Sequence, residues 1–273
     1  MFKQMPVSAM AGLLMTLFFI IIALFAPWIA PYGIAEIVGE MWAPRSTEFL
    51  LGTDHLGRDL WSRLVYGART TMTIAALSTG LAFALGVTLG IWAAVVGGWI
   101  EQLTSRLVDL VMSVPTLILA LVILSVMPGS MLTLILIMGL LDATRVFRIA
   151  RALAVDINVL DFVEAARLRG EGKVWIIFHE ILPNALSPLI AELGLRFIFA
   201  VLFLSSLSFL GLGVQPPAAD WGSIVRENRQ GIVFGVPAAL MPAAAIALLA
   251  ISINLVADWL LRRTTDLKGG RHG

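Results

Sequence analysis

Long uncharged runs alternate along this chain with short polar joints, and the run lengths set the first expectation. Residues 7–30, 70–100, 110–141 and 230–257 contain no Asp, Glu, Lys or Arg apart from polar residues at their edges, and residues 185–209 contain only Glu192 and Arg196. A helix rises about 1.5 Å per residue, so roughly 20 apolar residues cross a bilayer core of about 30 Å. Pro128-Gly129-Ser130 divides the longest run and predicts two helices joined by a tight turn, the second continuing through Asp142 to Arg151. The pattern therefore predicts six membrane-spanning helices. The first run exceeds the about 7–15 apolar residues of a signal peptide, so it is read as a span.

The polar joints carry local structure of their own. In residues 161–184, Asp161 and Glu164 have the spacing of an N-cap and its reciprocal partner. They predict a short helix over 162–169, ended by Gly170 in the left-handed region. A second short helix over 173–181 should stop before Pro183, with Asn184 capping the next helix. Residues 31–69 form the longest polar segment. Gly52, Asp54 and Gly57 are turn formers there. Leu56, Leu60, Trp61, Leu64 and Val65 fall on one side of a helix, with Arg58, Asp59, Arg63 and Arg69 around the rest, which predicts an interfacial helix. Asp54, His55 and Asp59 are read as turn and cap residues rather than a metal site, because one His without a third ligand at the usual spacing is a poor set.

Composition agrees with the runs. Of 273 residues, 59% are hydrophobic and 14% charged, against about 25% charged in a soluble domain. A net charge of +1 gives no sign of a nucleic-acid partner, and the absence of cysteine excludes thiol chemistry and disulfides. Gly86 and Gly90 form a GxxxG that lets a neighbouring helix approach closely. Gly97-Gly98 should end that helix, with Glu101 and Arg106 in a polar loop after it. Arg145, Arg148 and Arg151 lie on one side of a helix end, as arginines do when they snorkel to headgroups. Glu192 and Arg196, at i and i+4 inside a span, are candidates for the translocation path.

Several of these stretches resemble one family. Glu164-Ala165-Ala166, then Gly170, then Leu182-Pro183 look like the EAA loop of the membrane subunits of ATP-binding-cassette importers. His179-x-x-Leu182-Pro183-Asn184 is similar to the branch that imports dipeptides, oligopeptides and nickel. Residues 51–70 resemble the sequence after that branch's first span. Residues 208–217, with Trp221-Gly222, are similar to another of its signatures, where Trp221 could anchor at the interface. The tail after Asp258 departs from the family ending, and its role stays open. The resemblance implies an all-α, type I importer permease with six transmembrane helices and a cytoplasmic coupling helix. Residues 1–69 would hold the first span and external loop, 70–262 the permease core, and 263–273 a cytoplasmic tail. Glu164, Ala165, Ala166, Arg167, Gly170, Leu182 and Pro183 would meet a partner ATPase. The implied partners are a companion permease, two cytoplasmic ATPases carrying ATP and Mg, an extracytoplasmic solute-binding protein and the lipid of the inner membrane. The chain itself would bind no cofactor and catalyse no bond chemistry. Di- or oligopeptide, nickel chelate and opine all remain open as cargo.

Charge gives an independent orientation. With the N-terminus inside and six spans, the side carrying residues 161–184 holds twelve Lys and Arg, and the other side six. The excess places that loop and both termini in the cytoplasm. Other classes lack their parts: there is no GxxxxGK[ST], no GxSxG, and Pro183 stands where the second His of HExxH would be. An ion-coupled carrier built on Glu192 and Arg196 is the alternative left standing.

Overall fold

A computed structural model describes residues 6–127 and 129–269, with side chains described through residue 261. Pro128 of the expected turn and the end of the tail lie outside the described residues. Among those residues the fold is helical, and extended pairing is limited to two isolated bridges, Ile37 with Arg58 and Thr53 with Asp59.

The first helix, α1 (Val7–Leu24), seats its small residues on the last, α11 (Leu240–Gly269). A Cβ at Gly12 would come within 2.6 Å of the Ser252 carbonyl oxygen, and the Thr16 hydroxyl lies 3.1 Å from that of Ser252. A one-turn helix, α2 (Ala26–Ile29), comes next. Helix α3 (Leu60–Val96) is a single rod of 37 residues. It starts where the Asp59 carboxylate accepts from the Ser62 N–H at 2.8 Å, and ends at Gly97, whose φ is +67°. The expected interfacial helix is therefore the first turns of this rod. Its apolar residues Leu60 and Val65 are buried in the protein rather than in lipid.

Helix α4 (Gly98–Met112) replaces the expected polar loop, and α5 (Thr116–Val126) continues from it at a bend of 80°. Pro115 accounts for the break, because it cannot continue the preceding helix. Helix α6 (Met131–Asn158) starts at Ser130, whose hydroxyl accepts from the Thr133 N–H. It packs along α3 at the predicted glycines. A Cβ at Gly86 would meet the Val146 Cβ at 2.6 Å, and one at Gly90 would meet the Phe147 carbonyl oxygen at 2.7 Å. Helix packing is what this GxxxG does.

After the short helix α7 (Asp161–Leu168), the chain runs without a stop from Lys173 to Phe209. This rod comprises α8 (Lys173–Ile176), a π turn (Ile177–Ile181) and α9 (Leu182–Phe209). The expected break before Pro183 does not occur. A proline ring presses on the carbonyl four residues back, and the wider π turn makes room there. Asn184 caps nothing: its side-chain amide donates to the Glu180 carbonyl at 2.6 Å. Pro188, expected in a first turn, stands well inside the rod.

Four helices among the described residues are long and apolar enough to cross a membrane: Val7–Leu24, Leu60–Val96, Lys173–Phe209 and Pro237–Leu261. The bent pair α4–α5 makes five if it counts as one span. The predicted six is not reached on apolarity, because Asp142, Arg145 and Arg148 fall in the middle of α6.

At one end of the bundle, residues 30–59 fold over α10 (Trp221–Asn228) to form a cap. The Asp220 carboxylate opens α10 by accepting from the Gly222 and Ser223 N–H groups. Trp221, expected at the membrane interface, is instead buried, with its indole N–H on the Leu64 carbonyl at 3.0 Å. At the other end, α7 and the start of the α8–α9 rod form a knob.

Candidate functional site

The knob is built from very little. Helix α7 has eight residues, too few to hold itself in water, since nucleation costs more than so few hydrogen bonds return. Two side chains fix it: Val163 and Ala166 are fully buried against the ends of α3, α6 and the π turn, beside Ile91, Ala150, Ala154 and Ile181. The expected capping box is absent. Leu160 occupies the N-cap, and Asp161 is the first helical residue. Asp161 and Glu164 instead place two negative charges in the first turn, where the helix dipole favours them.

The other end is made as the sequence predicts. Gly170 has φ +85°, its N–H donates to the Arg167 carbonyl at 2.9 Å, and the Glu171 N–H donates to the Ala166 carbonyl at 3.2 Å. That pair of bonds is a Schellman motif. Arg167 also donates to the Asn158 side-chain oxygen at 2.5 Å, and Arg169 lies 3.8 Å from Glu180. Trp175 stacks on His179 with ring centroids 4.7 Å apart.

The predicted coupling residues separate on inspection. Glu164, Ala165, Arg167, Gly170 and Pro183 are exposed, and Leu182 is half-buried. Ala166 faces its own chain and offers a partner nothing, which corrects its assignment as a contact residue; the small side chain lets α7 lie close to the bundle. Phe162, Leu168, Val174 and Phe178 are exposed beside these polar groups, Leu168 by 84%. The knob thus shows a mixed apolar and charged face of fixed shape.

Deeper in the bundle, Glu192 and Arg196 pair as predicted, Arg196 Nε to Glu192 Oε1 at 2.5 Å. A third member was missed. Arg196 also reaches Asp142 Oδ1 on α6 at 3.3 Å, and its guanidinium lies 5.1 Å from the Phe199 ring centre. Neither Glu192 nor Arg196 lines the adjacent cavity of about 470 Å³; Asp142 and Arg145 do, with Ser78, Thr79 and Phe203. The three arginines expected at the headgroups lie against α4 and α5 instead. Arg145 donates to the Thr116 hydroxyl at 3.0 Å, Arg148 to the Met112 sulfur at 3.7 Å, and Arg151 to Glu101 at 2.6 Å.

The cap holds a second missed group. Asp54 Oδ2 accepts from Arg58 Nε at 2.7 Å and from Arg63, and both arginines also reach Glu227 Oε2, at 2.9 and 2.7 Å. Asp54 and Arg63 are sealed from solvent. Burial alone would raise the Asp54 carboxyl. The Arg58 N–H, the Arg63 charge and hydrogen bond, and the Leu56 N–H outweigh it and hold the group below its ordinary value. His55 is lowered, first by burial and then by Arg58 and Arg63, against the pull of Asp54 and Glu227. Asp54, His55 and Glu227 offer ligand atoms within 4.8 Å of one another, yet the two guanidiniums already occupy both carboxylates. The sequence signal was the Asp54–Arg58 spacing of four, usable only with Glu227 brought alongside.

Helices long and apolar enough to cross a membrane, with polar groups gathered between them and an exposed knob at one end, fit a membrane-embedded subunit. The comparisons make the family plain. The profile for the inner membrane component of binding-protein-dependent transport systems matches residues 86–266, and that for the N-terminal transmembrane domain of oligopeptide transport permease C matches residues 7–44. A dipeptide transport system permease protein of Alkalihalophilus pseudofirmus is 34% identical, covering 95% of this chain and 86% of that protein. A di/tripeptide transport system permease protein of Pseudomonas aeruginosa is 35% identical over 93% of this chain and 86% of its own length. A glutathione transport system permease protein of Pectobacterium atrosepticum is 30% identical over 95% and 86%. The chain belongs to the family of inner membrane components of binding-protein-dependent transport systems, as a permease subunit of an ATP-binding-cassette importer. The ion-coupled carrier alternative falls with that assignment.

Proposed function

We propose that this subunit forms half of a translocation path for short peptides, with the knob seated in a cytoplasmic ATPase. The observation that carries this is α7 itself: a helix too short to stand alone, fixed in shape by two buried side chains and a Schellman turn, with its charged and apolar face left open. Glu164, Ala165, Arg167, Gly170, Leu182 and Pro183 make or shape that face. ATP and Mg belong to the ATPases. A companion permease completes the path, a solute-binding protein delivers the cargo at the cap, and the lipid is that of the inner membrane. Peptide cargo is supported by relatives named for dipeptide, di/tripeptide and glutathione transport, glutathione being itself a tripeptide. With α6 counted by its 28 residues, the subunit crosses six times, both termini on the knob side.

The test exploits the absence of native cysteine. Glu171→Cys should resist an impermeant maleimide in cells with an intact inner membrane, while Thr47→Cys at the cap is labelled. The reverse pattern would turn the molecule over and remove the knob from any cytoplasmic partner.

A further inference from the structure

Of the four charged residues that surround the apolar stripe of residues 56–69, three are spent at the cap. Asp59 caps α3, and Arg58 and Arg63 hold Asp54 and Glu227. Arg69 is left over. It is exposed and, among the described residues, makes no ion pair or hydrogen bond. It stands at the cap end of a cleft of about 810 Å³ walled by α1, α3, α9 and α11, a volume in the range of small-molecule sites.

One seam of α3 accounts for the cleft. Residues 69, 73, 76, 80, 83 and 87 recur at helical spacing and so share a face. Thr73, Ala76 and Gly80 are small and exposed, and a Cβ at Gly80 would meet nothing within 4 Å. Phe83 and Val87, next along the seam, pack into the buried cluster that holds Ala185 and Leu189 of α9. The cleft is therefore shut at its inner end and open at its side. From Arg69 to Gly80 the helix rises about 16 Å. Half of a bilayer core is about 15 Å. Thr16, at the middle of α1, lines the same cleft, which sets its inner end near the middle of the membrane and Arg69 at the level of the headgroups.

The cleft is one leaflet deep and apolar along most of its walls, with a lone guanidinium at its mouth and no carboxylate in its lining. That combination complements an anionic amphiphile. We propose that the cleft seats one acyl chain of a phospholipid from the leaflet on the cap side, with Arg69 holding the phosphate. Arginine suits that group because its N–H fork pairs with two phosphate oxygens at once. A helix of a companion subunit, about 10 Å across, would need a groove through the full depth of the membrane, and Phe83 and Val87 close this one halfway. A peptide could place its carboxylate on Arg69, but its ammonium would meet no acidic group. The seated chain fills the space between α1 and α9.

The assembled complex, in nanodiscs containing a trace of phosphatidylglycerol with a diazirine on its acyl chain, supplies the test, with crosslinks mapped on this chain by mass. Residues 73–80 and 193–197 should be labelled severalfold more than by a diacylglycerol that carries the same diazirine and has no phosphate. Arg69→Gln should bring the two lipids to equal labelling there, and Arg69→Lys should keep part of the preference. Gly80→Leu enters open space and replaces a glycine inside a helix, so it should fold at least as well as the unsubstituted chain. It should lower labelling of the cleft severalfold and leave that of the exposed face of α1, at Leu14 and Phe18, unchanged. Equal labelling by the two lipids in the unsubstituted complex would overturn the proposal. So would cleft labelling that Gly80→Leu does not lower, or a cleft left unlabelled beside a labelled α1 face. Loss of the cleft label in millimolar alanyl-alanine would overturn it too, and make the cleft a solute site.

Discussion

At the cap, Asp54, Arg58 and Arg63 are almost sealed from solvent and tied to Glu227 on a distant helix. At the knob, Glu164, Arg167 and Arg169 stand in solvent on a helix that two small buried side chains hold down. Both regions are short polar segments between apolar rods, and both carry acidic and basic residues in similar number. The difference lies in who completes them. The cap pairs Asp54, Arg58, Arg63 and Glu227 among themselves and so ties the loop of residues 30–59 to α10. The knob fixes its backbone and leaves its charges open to solvent, which is the arrangement expected of a surface that another protein finishes. A salt bridge sealed inside a chain serves that chain, and a shaped, open face serves a partner.

The sharpest way to break the contrast is to remove one charge from each end. Asp54→Asn keeps the shape and leaves two buried guanidiniums sharing Glu227 alone. Breaking a buried ion group in this way costs about 3–5 kcal/mol. Thermal unfolding of the purified protein should show a large fall in midpoint, with less protein in the membrane. Glu164→Gln at the knob should change stability by no more than about 0.5 kcal/mol, as exposed substitutions do. Equal midpoints for the two variants would mean that the cap group is no brace.

The second prediction strains the knob's backbone without touching its charges. Gly170 at φ +85° has nothing within 4 Å of where a Cβ would stand, so a side chain there meets no clash, only the left-handed penalty. That penalty is about 1–2 kcal/mol, greatest for β-branched residues, and Asn tolerates the region best. Gly170→Val should leave normal amounts of protein in the membrane, weaken ATPase attachment and lower ATP-dependent uptake; Gly170→Asn should do so least. A Gly170→Val complex that keeps its ATPases and imports at the wild-type rate would take the knob out of the coupling role.

Legibility in the sequence divides along the same line. Uncharged runs showed the rods because a bilayer admits little else, and Gly86, Gly90 and Gly170 showed their roles because each needs a missing Cβ. The rods' true ends were hidden. Residues 56–69 read as a separate interfacial helix because Arg58, Asp59, Arg63 and Arg69 surround an apolar stripe there, and only the fold puts Glu227 beside Arg63. The stop expected at Pro183 failed because one π turn absorbs the proline. Asp142 went unremarked and Arg145 read as a headgroup arginine, because charged groups near a helix end look like surface residues until α9 brings Arg196 against Asp142 and α5 brings Thr116 against Arg145. Pairings between distant helices are the part of the site that spacing along one helix cannot display.

The smallest expected effect is one of pH, and it belongs to the cap. His55 Nδ1 is buried without a hydrogen-bond partner, 4.0 Å from a carboxylate oxygen of both Asp54 and Glu227. Burial holds its pKa below the ordinary value, so the folded chain binds this proton less readily than the unfolded chain does. Stability must then fall as pH drops through the ordinary histidine range toward the depressed folded value. Asp54, also lowered, contributes stability that is present above its ordinary value and lost only at more acid pH. Stability should therefore be lost with acid in two steps, the histidine's first. His55→Gln, which keeps a polar side chain without a titrating ring, should abolish the first step and leave the second. Gly170→Val, at the opposite end, should keep the wild-type pH profile. If His55→Gln loses stability in mild acid just as the wild type does, the first step belongs elsewhere, and the cap is braced by its arginines and carboxylates alone.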